Sequence, residues 1–484
     1  MASQEEIKGV RLKKIELLKA AKMEAYPAKV PRDFCLRDAK KYFADYEKNK
    51  KSASVAGRVM AIRGQGAIFF VVLYDGRGKL QAVFKKDTLD EKFFKLFKDA
   101  VDVGDFISVT GTFFKTERGE ESILATSWTM AAKSLAALPE KFHGIQDEEE
   151  RFRKRYLDIL FDPELRNLFE LKSKFWDATR DFLKSKEFLE IETPTLEVTT
   201  GGAEANPFKT HHEDFDLDVY LRISVGELWQ KRLMAAGFPK TFEIGRVWRN
   251  EGTSPEHLQE FTNMEFYWAF ADYKDGMKLV AEMYRHIATE VFGKTKFEIR
   301  GHSFDLGGQW PQISYVDEIK KQTGIDILKS SEKEMEKKLK ELKVEYDGDN
   351  RERLIDTLWK YCRKKISGPV FLTHHPKIVS PLAKESSEQP GTVERFQIII
   401  AGSEVGNGWS EINDPRDQAA RFDVQQKLLE SGDKEAMMAD HEFVEMLEYG
   451  MPPTCGFGFG ERLFAFMVGR PLRDTQLFPL MRPK

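Results

Sequence analysis

The chain has 484 residues, enough for two to four domains at about 150 residues each. Its composition, 41% hydrophobic and 32% charged residues, excludes collagen-like, low-complexity and mainly disordered chains. The formal net charge of −3 gives no overall sign of a nucleic-acid partner, so any basic surface has to be local.

The cysteines and the apolar runs bear on the compartment. Cys35, Cys362 and Cys455 are far apart and form no Cys-x-x-Cys pair. This argues against a disulfide framework and against a thiolate zinc site, and it fits a reducing compartment. The first residues carry no apolar signal segment, and no apolar run approaches the roughly 18 residues that span a bilayer. We expect a cytoplasmic protein with no membrane partner.

Residues 1–52 predict a basic helix followed by a connector. Hydrophobic spacing places the helix over residues 5–24. Its apolar stripe would consist of Ile7, Val10, Ile15 and Leu18. Lysines and arginines crowd the other faces. They indicate a solvated surface helix or, if other nucleic-acid features are present, a helix that contacts an RNA backbone.

Residues 53–132 change to short β-rich runs separated by glycine turns, and Asp75-Gly76-Arg77-Gly78 has the composition of a hairpin turn. About five strands in such a segment indicate a small OB-type barrel, a fold that binds oligonucleotides across one face. Either Phe69 or Phe70 has to point into the core, because adjacent strand residues point to opposite sides. The side chains that such a face would use are Arg58, Arg63, Phe69, Phe70 and Gln81, with the aromatic rings stacking on bases and the arginines binding phosphates.

Residues 133–150 are expected to be a polar linker, and residues 151–484 one large catalytic domain. Long helical stretches alternate with β-runs in this domain, and no internal repeat is present. The Lys/Glu-rich stretch 326–347 predicts a solvated helix without chemistry. The expected fold class is α+β.

Three segments of the large domain carry unusual residues. The first, FLKSKEFLEIETPTL (182–196), predicts a helix and then a strand that Pro194 ends. The second, residues 242–270, predicts two strands joined by a turn-rich loop. Four residues at odd positions of this hairpin would face one side, namely Arg249, Glu251, Glu265 and Tyr267. Such a set is costly to bury without ligands or mutual pairing, although an exposed face with salt bridges is the alternative.

The third segment, CGFGFGERLFAFMVG (455–469), has three alternate glycines before a helix. A dinucleotide-binding unit is excluded, because too few residues follow Gly460 for a βαβ unit of about 30 residues. A glycine-rich strand instead lets a ligand approach the backbone closely. Arg462 at the start of the helix would add a positive charge.

Together these segments resemble the three signature motifs of the class II aminoacyl-tRNA synthetases. Within that class the chain is similar to the lysyl-tRNA synthetase family from about residue 5 to Lys484. The lysine-type markers are GGAEANPFKTHH (201–212), DLDVYLRIS (216–224), EVGNGWSEINDP (404–415), LEYGMPPT (447–454) and LFPLMRP (477–483). No HIGH or KMSKS pair appears, so a class I synthetase has no support.

The resemblance implies an N-terminal OB-type barrel followed by a class II antiparallel-sheet catalytic domain flanked by helices. It also implies ATP-dependent ligation of L-lysine to tRNA(Lys) through lysyl-adenylate, with release of AMP and pyrophosphate. Magnesium would be the cofactor, motif 1 with Pro194 would build a homodimer, and the barrel over 53–132 would bind the anticodon. The basic first helix would then contact the tRNA backbone.

The resemblance also assigns residues. Arg249 and Arg462 would be catalytic, gripping the α-phosphate and the γ-phosphate, and Phe261 would stack on adenine against Arg462. The ATP-binding set is Arg249, Glu251, His257, Phe261, Glu404 and Arg462. The lysine-binding set is Gly202, Glu227, Glu265, Tyr267, Asn407 and Glu411, in which Glu265 and Glu411 compensate the desolvated ε-ammonium. The metal positions are Glu404 and Gln397, and the anticodon residues are Phe70 and Gln81.

The chain departs from the family at four positions, and two other functions stay open. Glu256 stands where many relatives have arginine, Glu187 where glycine is usual, Ser127 where many have an anticodon-contacting glutamate, and Gln397 at a metal carboxylate. One alternative is lysylation of a protein or lipid. The barrel argues against it, because stand-alone protein-modifying paralogues lack a barrel. The other is an RNA-binding paralogue with weakened catalysis, against which the intact motif residues argue. Aspartyl and asparaginyl relatives do not present the acids paired at Glu265 and Glu411.

Overall fold

The structure, a computed structural model, describes residues 3–64, 66–139, 147–203, 205–346, 350–432 and 436–484. By internal contacts the chain divides into two compact units, Met1–Pro163 and Glu164–Lys484. The predicted boundary at residue 151 precedes this division, and residues 140–146 of the predicted linker lie outside the described residues. In the described part of the chain no helix is long and apolar enough to cross a membrane.

The first unit is organised around a closed five-stranded barrel. Its elements are α1 (Gln4–Ala20), α2 (Leu36–Lys48), β1 (Ser52–Arg63), β2 (Ile68–Tyr74), β3 (Lys79–Lys85), α3 (Glu91–Ala100), β4 (Phe106–Lys115), β5 (Glu121–Ala132), α4 (Glu148–Arg153) and α5 (Arg155–Phe161). The strand order is β1-β2-β3-β5-β4, and the β3–β5 pair is parallel. This confirms the predicted OB-type barrel.

The predicted hairpin turn joins β2 to β3. Asp75 Oδ1 accepts hydrogen bonds of 3.0 Å from the backbone N–H groups of Arg77 and Gly78, which closes the turn. Phe69 packs against the core and its ring lies 5.8 Å from that of Phe94. The next residue, Phe70, therefore points outward.

Helix α1 differs from the sequence-based expectation in what it buries. Arg11 is buried, and its guanidinium donates to Ser134 Oγ at 2.6 Å and to the Val103 carbonyl at 3.0 Å. Lys14 Nζ pairs with Asp102 at 2.7 Å. Val10, predicted for the apolar stripe, is 55% exposed. The predicted apolar stripe is therefore wrong at Val10. Arg11 and Leu18 lie on the buried side of the helix, and Val10 lies on the exposed side.

The second unit is built on an eight-stranded sheet in the order β14-β15-β18-β19-β20-β11-β10-β6. Its elements are α6 (Pro163–Ser185), β6 (Leu189–Glu190), β7 (Leu196–Glu197), β8 (Lys209–His212), β9 (Leu217–Leu221), α7 (Glu227–Ala235), β10 (Lys240–Trp248), β11 (Glu260–Ala269), α8 (Tyr273–Phe292), β12 (Lys296–Ile299), β13 (His302–Asp305), β14 (Gln312–Ser314), α9 (Tyr315–Thr323), α10 (Glu332–Glu341), α11 (Arg351–Arg363), β15 (Val370–Thr373), β16 (His375–Pro376), β17 (Thr392–Val393), β18 (Arg395–Ile400), β19 (Ser403–Ser410), α12 (Pro415–Glu430), α13 (His441–Glu448), β20 (Thr454–Gly460) and α14 (Arg462–Met467). The central strands pair antiparallel and the β14–β15 and β10–β6 pairs are parallel, which confirms the predicted antiparallel-rich sheet flanked by helices.

The sheet has an apolar face and a polar face, because successive residues of a strand point to opposite sides. On the apolar face Phe266 of β11 and Phe457 of β20 are buried, and Phe396 of β18 stacks on Phe457 with ring centroids 5.7 Å apart. Helix α8 packs on this side, where a Cβ on Gly276 would lie 3.2 Å from Phe396. The other face of β11 and β20 is left for the site.

Two local expectations need correction. The Lys/Glu-rich segment forms α10, but Met335 and Leu339 are fully buried in a core with Leu358, so only its charged side is solvated. Strand β6 ends at Glu190, well before Pro194, so proline does not end this strand. Glu187 has a φ of 65°, a left-handed conformation that explains why glycine would be usual there.

Candidate active site

A cleft of about 340 Å³ opens on the polar face of the eight-stranded sheet. It brings together all of the residues predicted for ATP, lysine and magnesium except Glu411. Those that line it are Gly202, Glu227, Arg249, Glu251, His257, Phe261, Glu265, Tyr267, Gln397, Glu404, Asn407 and Arg462. Glu411 is buried next to the cleft, and its Oε1 lies beside the lining residue Gly456, where it would collide with an added Cβ.

The β10–β11 hairpin places the second motif on one face, as predicted. Thr241 lies opposite Tyr267 and Glu243 opposite Glu265, so the odd residues of both strands share a side. Arg249 follows the end of β10, and its backbone N–H donates to the Gln259 carbonyl at 2.8 Å. This bond extends the hairpin, so Arg249 also faces the cleft.

Glu265 is buried at one end of the cleft and is held by three donors. Its Oε1 accepts from Val225 N at 2.8 Å and from Asn263 Nδ2 at 2.9 Å, and its Oε2 accepts from the Tyr267 hydroxyl at 3.3 Å. Burial and the charge of Glu227 raise the pKa of Glu265 to about 7. The carboxylate is thus fixed in place before a ligand arrives.

Glu227 and Glu411 share a lysine of the protein itself. Lys231 Nζ lies 3.0 Å from Glu227 Oε1 and 2.6 Å from Glu411 Oε2, and Trp409 Nε1 donates to the same Glu411 oxygen at 2.7 Å. Burial raises the pKa of both carboxyls to about 7 despite the lysine. Lys231 was not predicted from the sequence, because a Glu–Lys pair at i,i+4 on a helix usually indicates a solvated surface pair.

The glycines of β20 make room for these side chains. A Cβ on Gly456 would collide with Glu411 Oε1 and lie 2.7 Å from the Tyr267 ring, and a Cβ on Gly458 would lie 2.8 Å from Glu265 Cγ. Contacts this short do not occur for real side chains, so the strand has to carry glycine here. The glycines were predicted to let a ligand approach the strand closely. In the structure they also let the acidic side chains approach it.

Asn407 is oriented by a neighbour that the sequence analysis also missed. Arg395 Nε donates to Asn407 Oδ1 at 3.0 Å, and Arg395 Nη1 donates to the Val379 carbonyl at 2.7 Å. With its oxygen held by Arg395, the Asn407 amide presents its N–H groups to the cleft. A donor in this position suits an anionic group such as a carboxylate.

The two arginines lie toward the other end of the cleft. Arg249 donates to the Ile223 carbonyl at 3.2 Å, and its guanidinium carbon lies 5.3 Å from the centre of the Phe261 ring. Arg462 begins α14; its Nη2 donates to the Glu404 carbonyl at 2.5 Å and its Nη1 lies 3.9 Å from Glu256. Two half-buried guanidinium groups beside an aromatic ring form a site suited to a polyphosphate and a base.

The loop between β10 and β11 holds the histidine. His257 Nδ1 lies 2.7 Å from Ser254 Oγ, and burial followed by the charge of Arg462 lowers the pKa of His257. Glu256 pairs with Arg300 at 2.5 Å. Glu256, which stands where many relatives have arginine, therefore places a carboxylate beside the guanidinium of Arg462, the group predicted to bind the γ-phosphate.

The predicted metal positions hold one carboxylate and one amide. Glu404 Oε1 accepts from Trp359 Nε1 at 2.8 Å, and Gln397 Oε1 lies 3.1 Å from His375 Nε2. Among the described residues no group of three or more acids, histidines or cysteines forms a complete metal site. The donor set still fits magnesium, which often binds through one or two protein oxygens plus substrate phosphates and water.

Comparison with known proteins gives the family. The profile of the tRNA synthetases class II (D, K and N) matches residues 147–482, and that of an OB-fold nucleic acid binding domain matches residues 53–131. The chain belongs to the class II lysyl-tRNA synthetases. A lysine–tRNA ligase of Thermotoga maritima is 42% identical over 99% of this chain and 96% of its own length. Those of Thermosipho africanus and of a Roseiflexus species are each 40% identical over 99% of this chain, and over 96% and 99% of their own lengths.

In this synthetase the predicted anticodon residues lie together on the outside of the barrel. Val72, two residues from Phe70 and hence on its side of β2, pairs with Gln81 of β3. Gln81 Nε2 donates to Ser122 Oγ at 2.9 Å, which leaves its carbonyl oxygen as an acceptor. Ser127 is exposed on β5. The outer surface of β2 and β3 therefore carries one half-buried aromatic ring and one half-buried amide.

Proposed function

We propose that the enzyme activates L-lysine with ATP in this cleft and transfers the lysyl group to the 3′ end of tRNA(Lys). The observation that carries the proposal is the polarity of the cleft. The buried acids Glu265 and Glu411, whose charge has to be compensated, lie at one end. The half-buried guanidinium groups of Arg249 and Arg462 lie at the other. An amino acid with two ammonium groups fits the acidic end, a polyanionic nucleotide fits the other end, and the lysine carboxylate meets the α-phosphate between them.

Lysine selection follows from the acids. The ε-ammonium would lie between Glu265, Tyr267 and Glu411, whose Oε1 has no hydrogen-bond partner among the described residues. The α-ammonium would bind Glu227 beside Gly202, and the carboxylate would approach the Asn407 amide. A neutral side chain would leave buried charge unpaired, so it is rejected strongly.

Adenylation requires that negative charge be neutralised as it moves. A lysine carboxylate oxygen attacks the α-phosphorus, the bond from that phosphorus to the bridging oxygen of pyrophosphate breaks, and lysyl-adenylate forms. Arg249 would neutralise charge at the α-phosphate and Arg462 at the γ-phosphate, with His257 close to the phosphate tail. Phe261 would stack on adenine and Glu251 would read its amino group.

Magnesium would be held by Glu404, by Gln397 and by the ATP phosphates. When bound it would neutralise the phosphates and orient them. The amide of Gln397 carries no charge, and in the structure its oxygen faces His375 Nε2. We therefore propose weaker magnesium binding than a second carboxylate would give.

We also propose an anticodon-binding domain, a homodimer and a cytoplasmic location. The OB-fold match supports an anticodon-binding domain over residues 53–132, with residues 1–52 as an N-terminal extension, 133–150 as a linker and 151–484 as the catalytic domain. Large apolar side chains flank Pro194, and Val198 is 60% exposed, which supports a homodimer interface there. The cysteines of the described chain are free, which agrees with a cytoplasmic location.

Amino-acid-dependent ATP–pyrophosphate exchange, run with each of the twenty amino acids, tests the proposal. Exchange with lysine alone, together with charging of tRNA(Lys), is expected. Exchange without tRNA charging would favour a protein or lipid acceptor. Absence of exchange with all twenty would favour an RNA-binding paralogue.

A further inference from the structure

Lys231 is an unusual residue of the lysine pocket, since it places a cationic side chain of the protein beside the acids that have to bind a cationic substrate. Its side chain is 1% exposed. The ammonium lies about 6 Å from the ring centres of Tyr267, Trp409 and Phe443, at 5.9, 6.0 and 5.8 Å. A lysine this deeply buried is rare unless its partners require it.

Lys231 contacts one oxygen of Glu227 and one oxygen of Glu411, and leaves the other oxygen of each carboxylate free of the lysine. Glu411 Oε2 accepts from both Lys231 and Trp409, whereas Oε1 has no partner among the described residues and points toward Gly456 of the cleft wall. Glu227 Oε1 accepts from Lys231, whereas Oε2 lies 2.7 Å from the position of a Cβ on the lining residue Gly202. In both acids one oxygen faces Lys231 and the other faces the cleft.

We propose that Lys231 is a positioning residue for the substrate: its ammonium holds Glu227 and Glu411 so that each presents one oxygen to one of the two ammonium groups of lysine. The inference rests on the proposed lysine pocket. Because a single ammonium bridges the two acids, it also sets the distance between the α- and ε-subsites. Lys231 would thus contribute to the choice of lysine over the shorter ornithine.

Substitution of Lys231 gives a result that a packing role alone would not give. Lys231→Ala removes three methylenes and the ammonium, a volume that n-propylammonium can refill. We expect the KM for lysine in pyrophosphate exchange to rise at least about tenfold, because two buried acids lose their partner. The KM for ATP should stay within about twofold, and the preference for lysine over ornithine should fall. Added n-propylamine should restore much of the lysine KM, and n-propanol, which is similar in size but uncharged, should not.

Lys231→Met is the matched variant, since it keeps the length and the apolar packing of the side chain without the charge. It should show the same rise in lysine KM even if Lys231→Ala proves unstable. A lysine KM of Lys231→Met within twofold of wild type, or equal rescue of Lys231→Ala by propanol and propylamine, would overturn the inference. Glu265→Gln, measured in parallel, separates the two levels. If it raises the lysine KM while Lys231→Met does not, only the role of Lys231 fails; if neither does, the lysine pocket itself is misplaced.

Discussion

At the scale of single residues, three buried carboxylates share one end of the cleft, and each has a different set of partners. Glu265 is held by backbone and side-chain donors, whereas Glu227 and Glu411 depend on Lys231. The acids were predictable, because each belongs to a recognisable motif. Lys231 and Arg395 were not, because only burial and contact geometry distinguish them from ordinary surface cations.

Glu265→Gln should raise the KM for lysine by about a hundredfold or more, because removal of one partner from a buried ion pair typically costs about 3–5 kcal/mol. The KM for ATP should change little, since only the ε-ammonium loses its partner. Glu260→Gln, on the same strand but 43% exposed in its side chain, is the control and should leave both values unchanged. An unaltered lysine KM in Glu265→Gln would contradict the assignment.

The pH dependence of lysine binding follows from the same acids. Burial raises the pKa of Glu227, Glu265 and Glu411 from 4.5 to about 7, so the empty pocket takes up protons below that pH. An ammonium pairs with the ionised form, so lysine affinity should increase between about pH 6 and 8. In the free enzyme these groups favour the folded state below pH 4.5, and that contribution is lost as the pH rises through about 7. The rise in Tm caused by lysine should therefore be larger at pH 8 than at pH 6, and a flat profile would contradict this.

The uncharged side chain of Gln397 leads to a prediction about magnesium binding. Gln397→Glu should lower the magnesium concentration that gives half-maximal pyrophosphate exchange, because it adds a second carboxylate to the proposed metal position. Glu404→Gln should raise that concentration or abolish exchange. If Gln397→Glu leaves the magnesium titration unchanged, residue 397 is not a metal position.

At the scale of elements, strand alternation explains why the site forms where it does. The apolar residues of β11 and β20 face α8, so the acids and glycines of the same strands face the cleft. Alternation could be predicted from the sequence because its period is two. The ends of the elements could not: β6 stops early and Arg249 lies beyond β10, since these ends depend on pairing with strands distant in sequence.

Gly456→Ala tests the role of β20. The added methyl group would collide with Glu411 and the Tyr267 ring, both of which belong to the proposed ε-ammonium site. We expect loss of lysine-dependent exchange by at least about tenfold and a lower Tm, because overpacking of a tight site typically costs about 1–3 kcal/mol. Gly308→Ala is the control, as its Cβ would meet an ordinary contact of 3.7 Å. Equal activity of the two variants would contradict the packing described for this strand.

At the scale of the whole molecule, RNA binding and adenylation are assigned to different parts of one chain. The barrel was predictable from β-rich runs and glycine turns. The contacts of α1 were not predictable, because the ion pair of Lys14 with Asp102 and the hydrogen bonds of Arg11 join residues that are distant in sequence. These two cations bind the barrel unit itself, so fewer basic groups of α1 remain for tRNA.

Phe70→Ala combined with Gln81→Ala should separate the two activities. Charging of tRNA(Lys) should weaken through a higher KM for tRNA, since loss of base stacking alone costs about 1–3 kcal/mol. Pyrophosphate exchange should stay at the wild-type rate, because every proposed adenylation residue lies in the second unit. Phe93→Ala, an exposed aromatic of α3, is the control and should charge tRNA normally. A parallel loss of exchange in the double variant would contradict the division.

The central claim is that one cleft holds lysine at the paired acids and ATP at the two arginines. A crystal structure with a non-hydrolysable lysyl-adenylate analogue tests it most directly. The account predicts the ε-ammonium within hydrogen-bond distance of Glu265 and Glu411 Oε1, the adenine on Phe261, and the phosphate analogue against Arg249. An analogue bound with its ammonium away from Glu265 and Glu411, or outside this cleft, would contradict it.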